Sequence, residues 1–189
     1  MTTITDTLHT AHGLVWQARA ELEPYWPTPN TQDALLFALT ELGEAVDADL
    51  RTNGDYARNR DKDLDVLDEL ADCAMMLLTA MGPKVKLPEL WTGDIAYIAS
   101  MNHAWINYAI EFAGVMQVYP AGAWADYNMT LLLARIATHP GMQLPQRLTA
   151  RLERIKAKRL PDLGAYWPDM ESIPDGVDVF AQYPIAGVE

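Results

Sequence analysis

Proline and glycine cut this chain into lengths that suit helices and little else. Breaks fall at Pro24, Pro27 and Pro29, at Gly54, at Gly82-Pro83 and Pro88, at Pro120 and Gly122, at Pro140-Gly141 and Pro145, and at Pro161. The long stretches between them are rich in Ala, Leu and Met and show no alternating β-branched runs. The spacing predicts helices over Thr5–Leu22, Thr31–Asn53, Asp61–Met81, Gly93–Tyr119, Ala123–Thr138 and Pro145–Leu160. Asn30 or Thr31 suits the N-cap of the second, and Pro145 suits the first turn of the last. An all-α bundle over residues 1–160 follows, with residues 161–189 as an extended, proline-rich acidic tail. At 189 residues and 50% apolar composition the chain is large enough to bury a core.

The longest nearly uncharged stretch, Ile95 to Ala125, is interrupted by Asn102, His103, Asn107, Glu111 and Gln117. A membrane-spanning helix needs roughly 20 predominantly apolar residues without that load. A helix apolar nearly all round is instead expected to be buried, inside the chain or against a second subunit. Met1–Thr10 lacks a basic segment followed by an apolar one, and the single cysteine, Cys73, cannot form an internal disulfide. The expected location is the cytoplasm.

Net charge is −12, and its distribution carries the argument. From Glu41 to Asp72 there are eleven acids and four bases, and from Leu160 to Glu189 six acids and no base. The rest of the chain is nearly neutral. This balance excludes a generic binder of nucleic-acid polymers, which needs a basic footprint.

The second segment places Leu35, Leu39, Leu42, Val46 and Leu50 on one apolar stripe. Glu41 and Glu44 lie one turn apart on another face, beside Phe37, Ala45 and Ala48, so a semi-buried position is expected for them. On the third segment Val66, Leu67, Leu70, Ala74, Leu77 and Leu78 form the main stripe. Asp65, Glu69 and Asp72 stack opposite, and Met76 and Ala80 continue that face as apolar surface. A single acidic pair at this spacing is ordinarily a solvated helix face. Two pairs on consecutive helices, both bordered by apolar side chains, are different, because unpaired buried carboxylates cost several kcal/mol each. Divalent cations with oxygen ligands neutralise such groups. The four scattered histidines and one cysteine offer no zinc spacing, so Mg²⁺ or Mn²⁺ is favoured.

Glu41-x-x-Glu44, a gap of 24 residues, and Glu69-x-x-Asp72 together resemble the ExxE…ExxD signature of the MazG-like all-α nucleoside triphosphate pyrophosphohydrolases. Dimeric dUTPases and phosphoribosyl-ATP pyrophosphohydrolase belong to the same superfamily. The match spans Thr31 to Gly82. Thr40 stands where many such sequences have a further Glu, and Ala71 where many have Gly; neither change removes a ligand position. The resemblance implies a MazG-like bundle with extra C-terminal helices, and Mg²⁺-dependent cleavage of a nucleoside triphosphate to monophosphate and pyrophosphate. Carried over by position, Glu41, Glu44, Glu69 and Asp72 would ligate metal, with Glu41 or Glu44 activating water. Small stand-alone relatives, phage ones among them, put a purine dNTP (dGTP or dATP) ahead of dUTP or dCTP. A homodimer or homotetramer is the expected assembly. A noncatalytic helical oligomer docking a basic partner through its acidic face is the alternative from another class.

Arg147, Arg151, Arg154, Lys156, Lys158 and Arg159 put six of the fourteen bases within thirteen residues. Either they are a solvated face complementing the acidic bundle, or some grip the β and γ phosphates. Arg154 and Lys158 are the favoured phosphate ligands, with Lys84 in the loop after the Gly82-Pro83 break as a third.

Overall fold

A computed structural model describes residues 3–23, 26–53, 65–90, 93, 105–118 and 122–166. Among them lie helices α1 (Ile4–Leu22), α2 (Thr31–Asn53), α3 (Val66–Met81), α4 (Trp105–Val118), α5 (Ala123–Ala137) and α6 (Leu144–Tyr166), with no strand among the described residues. The all-α expectation holds. In this region no helix is long and apolar enough to cross a membrane.

Local chemistry explains the starts. Thr3 and Asp6 form a reciprocal capping box at α1, with Oγ1 of Thr3 accepting from the Asp6 N–H at 3.0 Å. Asn30 caps α2 by accepting from the Asp33 N–H at 2.9 Å. Asp65 does the same for α3, accepting from the Leu67 N–H at 2.9 Å. Asp65 is therefore the cap of α3 and not a member of its acidic stack, which corrects the expected start at Asp61; residues 61–64 lie outside the described residues. Gly82 ends α3 at φ +84°, a conformation glycine adopts without strain. α6 runs past Pro161 to Tyr166, six residues into the expected tail. A proline's fixed φ is itself helical, so it removes one hydrogen bond without dictating an extended path. Residues 167–189 lie outside the description.

α3 is the axis of the bundle and packs on α1, α2, α5 and α6. Every residue from Leu70 to Met81 is buried. α1 runs antiparallel to it: His12 Nε2 pairs with the Gly82 carbonyl at 2.9 Å and Trp16 Nε1 donates to the Leu78 carbonyl at 3.1 Å. The core is filled by Leu8, Val15 and Leu22 of α1, Leu42 of α2, Leu70, Leu77 and Leu78 of α3, Met129, Leu133 and Ile136 of α5, and Leu144 and Leu148 of α6. Arg19 is buried with them, its guanidinium 3.5 Å above the Trp26 ring. Burial pulls its pKa down to about 10.

One expectation about buried faces is corrected. α2 turns its small residues inward: Ala34, Ala38, Ala45 and Ala48 are buried with Leu35 and Leu42, while Leu50 is exposed and Leu39 and Val46 are only half-buried. Alanine lets two helix backbones approach closely, and α2 packs more extensively on α3 than any other pair of helices. α4 is only partly covered by the described residues, as expected of a helix buried inside the chain on one side and open to a second subunit on the other. Trp105, Phe112 and Met116 are buried, but Ile106 and Ile110 are 42% and 65% exposed. Residues 94–104, the first part of the expected long helix, lie outside the described residues.

Candidate metal centre

Close packing of the alanine face of α2 on α3 brings the acidic residues of the two helices together. Carboxylate oxygens of Glu41, Glu69 and Asp72 all lie within 4.8 Å of one another. Asp72 is buried at 4% exposure, Glu41 and Glu69 are half-buried, and Glu44 is exposed one turn from Glu41. Burial pushes the Glu41 carboxyl above the ordinary glutamate range, and the charges of Glu44 and Glu69 push it further. Glu69 is raised in the same way, by burial first and then by Glu44. Cys73, on the inner side of the cluster, is fully buried; burial raises its thiol pKa strongly and Glu41 adds to that, so it stays protonated.

The far edge of α3 has the opposite character. Arg151 of α6 grips Asp72 with two donors, Nε to Oδ1 at 2.7 Å and Nη2 to Oδ2. Arg147 Nη1 bridges Asp65 at 3.0 Å and Asp68 at 2.6 Å, and Arg154 Nη2 reaches Asp68 at 3.5 Å. An open cavity of about 430 Å³ lies beside this ladder, lined in part by Asp68, Gln143, Gln146, Arg147 and Arg154. Its lining does not include Glu41, Glu69 or Asp72.

Of the sequence candidates, Glu41, Glu69 and Asp72 are brought together, and Glu44 stands at their solvent side, near enough to act on two of them. Arg154 belongs to the ladder and Lys158 is exposed one turn beyond it. Lys84 is exposed in the turn after α3. From Asp72 to Met81 alone the helix rises about 14 Å, so Lys84 stands at the other end of α3 from the carboxylates. Arg151 is the residue that the sequence reading passed over in favour of Arg154 and Lys158. Its signal was the matched spacing of Asp68 and Asp72 on one helix and Arg147 and Arg151 on another, each pair one turn apart.

The donor set suits a hard divalent cation. Oxygen ligands converge from two rigid helices, and the nearest soft donor, Cys73, is held as a neutral thiol. Comparison with protein-family models, with curated proteins and with solved structures finds no match.

Proposed function

We propose that this protein is an Mg²⁺- or Mn²⁺-dependent nucleoside triphosphate pyrophosphohydrolase that releases a nucleoside monophosphate and pyrophosphate. The observation that carries the reading is the convergence of Glu41, Glu69 and Asp72 within 4.8 Å, on helices joined by an ExxE…ExxD spacing. Arg151 pairs with Asp72, but Glu41 and Glu69 have no cation seated on them among the described residues, and at this separation they repel one another and lose hydration. A divalent ion held by Glu41, Glu44, Glu69 and Asp72 would supply charge neutralisation at the triphosphate and a more acidic water. Glu41 or Glu44, whichever the ion leaves less engaged, would be placed to accept a proton from that water. Arg154 and Lys158, exposed on α6, are the cationic candidates for phosphate contact, and Lys84, at the far end of α3, is not among them.

The reading places the enzyme in the cytoplasm and gives it a purine dNTP, dGTP or dATP, as first substrate. Assembly as a homodimer or homotetramer is supported by the exposed apolar side chains of Leu36 and Phe37 on α2 and Ile106 and Ile110 on α4, two helices that pack on each other. The test is a panel of dNTPs and NTPs incubated with Mg²⁺ or Mn²⁺ and resolved by product. Monophosphate and pyrophosphate in equal amounts support the assignment, and the best substrate identifies the base. Absence of turnover across the panel overturns it.

A further inference from the structure

Arg151 holds a position that the other ladder arginines do not share. Both Asp72 oxygens accept from its guanidinium, and Asp72 is the most buried carboxylate of the cluster. Its charge also reaches Glu41 and Glu69, so it sits at the edge of the whole acidic group. The Arg151 side chain itself is 31% exposed, which leaves it a path outward. Arg147 and Arg154 pair only with Asp65 and Asp68, which lie outside the converging triad.

A cation drawn to the same three carboxylates would meet a guanidinium already seated on one of them. Two positive groups on one buried carboxylate repel, with less screening than at a fully exposed one. The guanidinium is the weaker holder of a position shared with a divalent ion. A nucleotide arriving with that ion brings paired anionic oxygens, which match a planar two-donor edge as well as Asp72 does.

We propose that Arg151 is an exchangeable guanidinium: it closes Asp72 before a divalent cation arrives, then releases Asp72 and turns its two donors to a pair of phosphate oxygens of the nucleotide. This rests on the reading of the carboxylates as a metal site and adds to it the phosphate ligand and the order of binding. Arg151, more than Arg154 or Lys158, then couples metal to substrate. Before metal, the guanidinium keeps Asp72 hydrogen-bonded; after it, the same group tells a polyphosphate-bearing ligand from a neutral one.

The test compares wild type with Arg151→Gln, Arg151→Lys and Arg147→Gln. Binding of Mn²⁺ alone is read by the loss of free-ion magnetic resonance signal. Binding of pyrophosphate at saturating Mg²⁺ is read by calorimetry. Removing the competing guanidinium should tighten Mn²⁺ binding about tenfold in Arg151→Gln, and should weaken pyrophosphate by a similar factor. Arg151→Lys keeps the charge without the two-point edge and should bind Mn²⁺ as wild type does while still losing pyrophosphate affinity. Arg147→Gln should leave both affinities within about twofold. Unchanged or weaker Mn²⁺ binding in Arg151→Gln, in protein whose circular dichroism remains helical, makes Arg151 a fixed clamp and overturns the exchange. Failure of wild type and every variant to take up Mn²⁺ overturns the metal site itself, and the two failures are told apart by the wild-type titration.

Discussion

The two edges of α3 carry acids of the same kind and meet opposite company. Toward α6, Asp65, Asp68 and Asp72 each face an arginine. Toward α2, Glu69 faces Glu41 and Glu44, and among the described residues Arg151, seated on the neighbouring Asp72, is the charge that opposes their repulsion. One edge is a finished electrostatic contact that fastens two helices. The other is a frustrated one, kept in place by the packing of alanines around it. Under the proposed function, the unpaired side is the one that would take a cation from solution.

The sharpest way to break this contrast is to remove an acid from the unpaired edge. Glu69→Gln should reduce nucleotide turnover about 100-fold or more while leaving the helix content unchanged, because the side chain binds and does not pack. Turnover at the wild-type rate would make the cluster an ordinary acidic surface. A second comparison sets the two kinds of pairing against each other by thermal or urea unfolding. Arg151→Met strands a buried carboxylate and should cost about 2–3 kcal/mol, at or just below the lower limit for a fully buried pair because the arginine is partly exposed. Arg147→Met releases acids that are more exposed and should cost about 0.5 kcal/mol. Equal losses would mean that the ladder acts as one unit.

The smallest effect is the pH response of the metal-free protein. Glu41 and Glu69 have raised carboxyl pKa values in the fold, so the folded chain binds protons there that the unfolded chain releases. Their contribution is fully present below the unfolded glutamate value and is lost as pH rises through the raised folded value. Melting temperature measured in chelator should therefore gain less on mild acidification in Glu41→Gln than in wild type. Mg²⁺ should shrink the difference by holding the carboxylates ionised in both states of pH. A larger gain in the variant would place the strain elsewhere.

Much of this was legible in the residues. Proline and glycine marked helix ends to within a residue or two at α1, α2 and α5, because capping and chain reversal are local chemistry. The pairing of Glu41 with Glu69 and Asp72 was legible through acids one turn apart on consecutive helices, in a spacing that resembles the ExxE…ExxD signature. Which face of α2 turns inward was not. Leu35, Leu39, Leu42, Val46 and Leu50 make the more hydrophobic stripe, yet the alanines decide, since closeness of approach depends on the partner helix. The exposure of Ile110 and the burial of Arg19 are likewise products of tertiary placement, which no single helix encodes. Arg151 against Asp72 joins residues 79 apart, and composition showed only that bases and acids were available.

Enclosure of α3 from Leu70 to Met81 has a consequence for how this molecule can change over generations. Almost any substitution along that stretch alters a contact with another helix, so the sequence there has little room to drift. Asp72 lies within that stretch and Glu69 directly precedes it, and one residue inserted after Asp72 would turn both about 100° relative to the rest of the helix. Change is easier to accommodate on the more accessible surfaces of α2 and α6. The central helix stays as the inherited part, and its neighbours are where the chain can experiment.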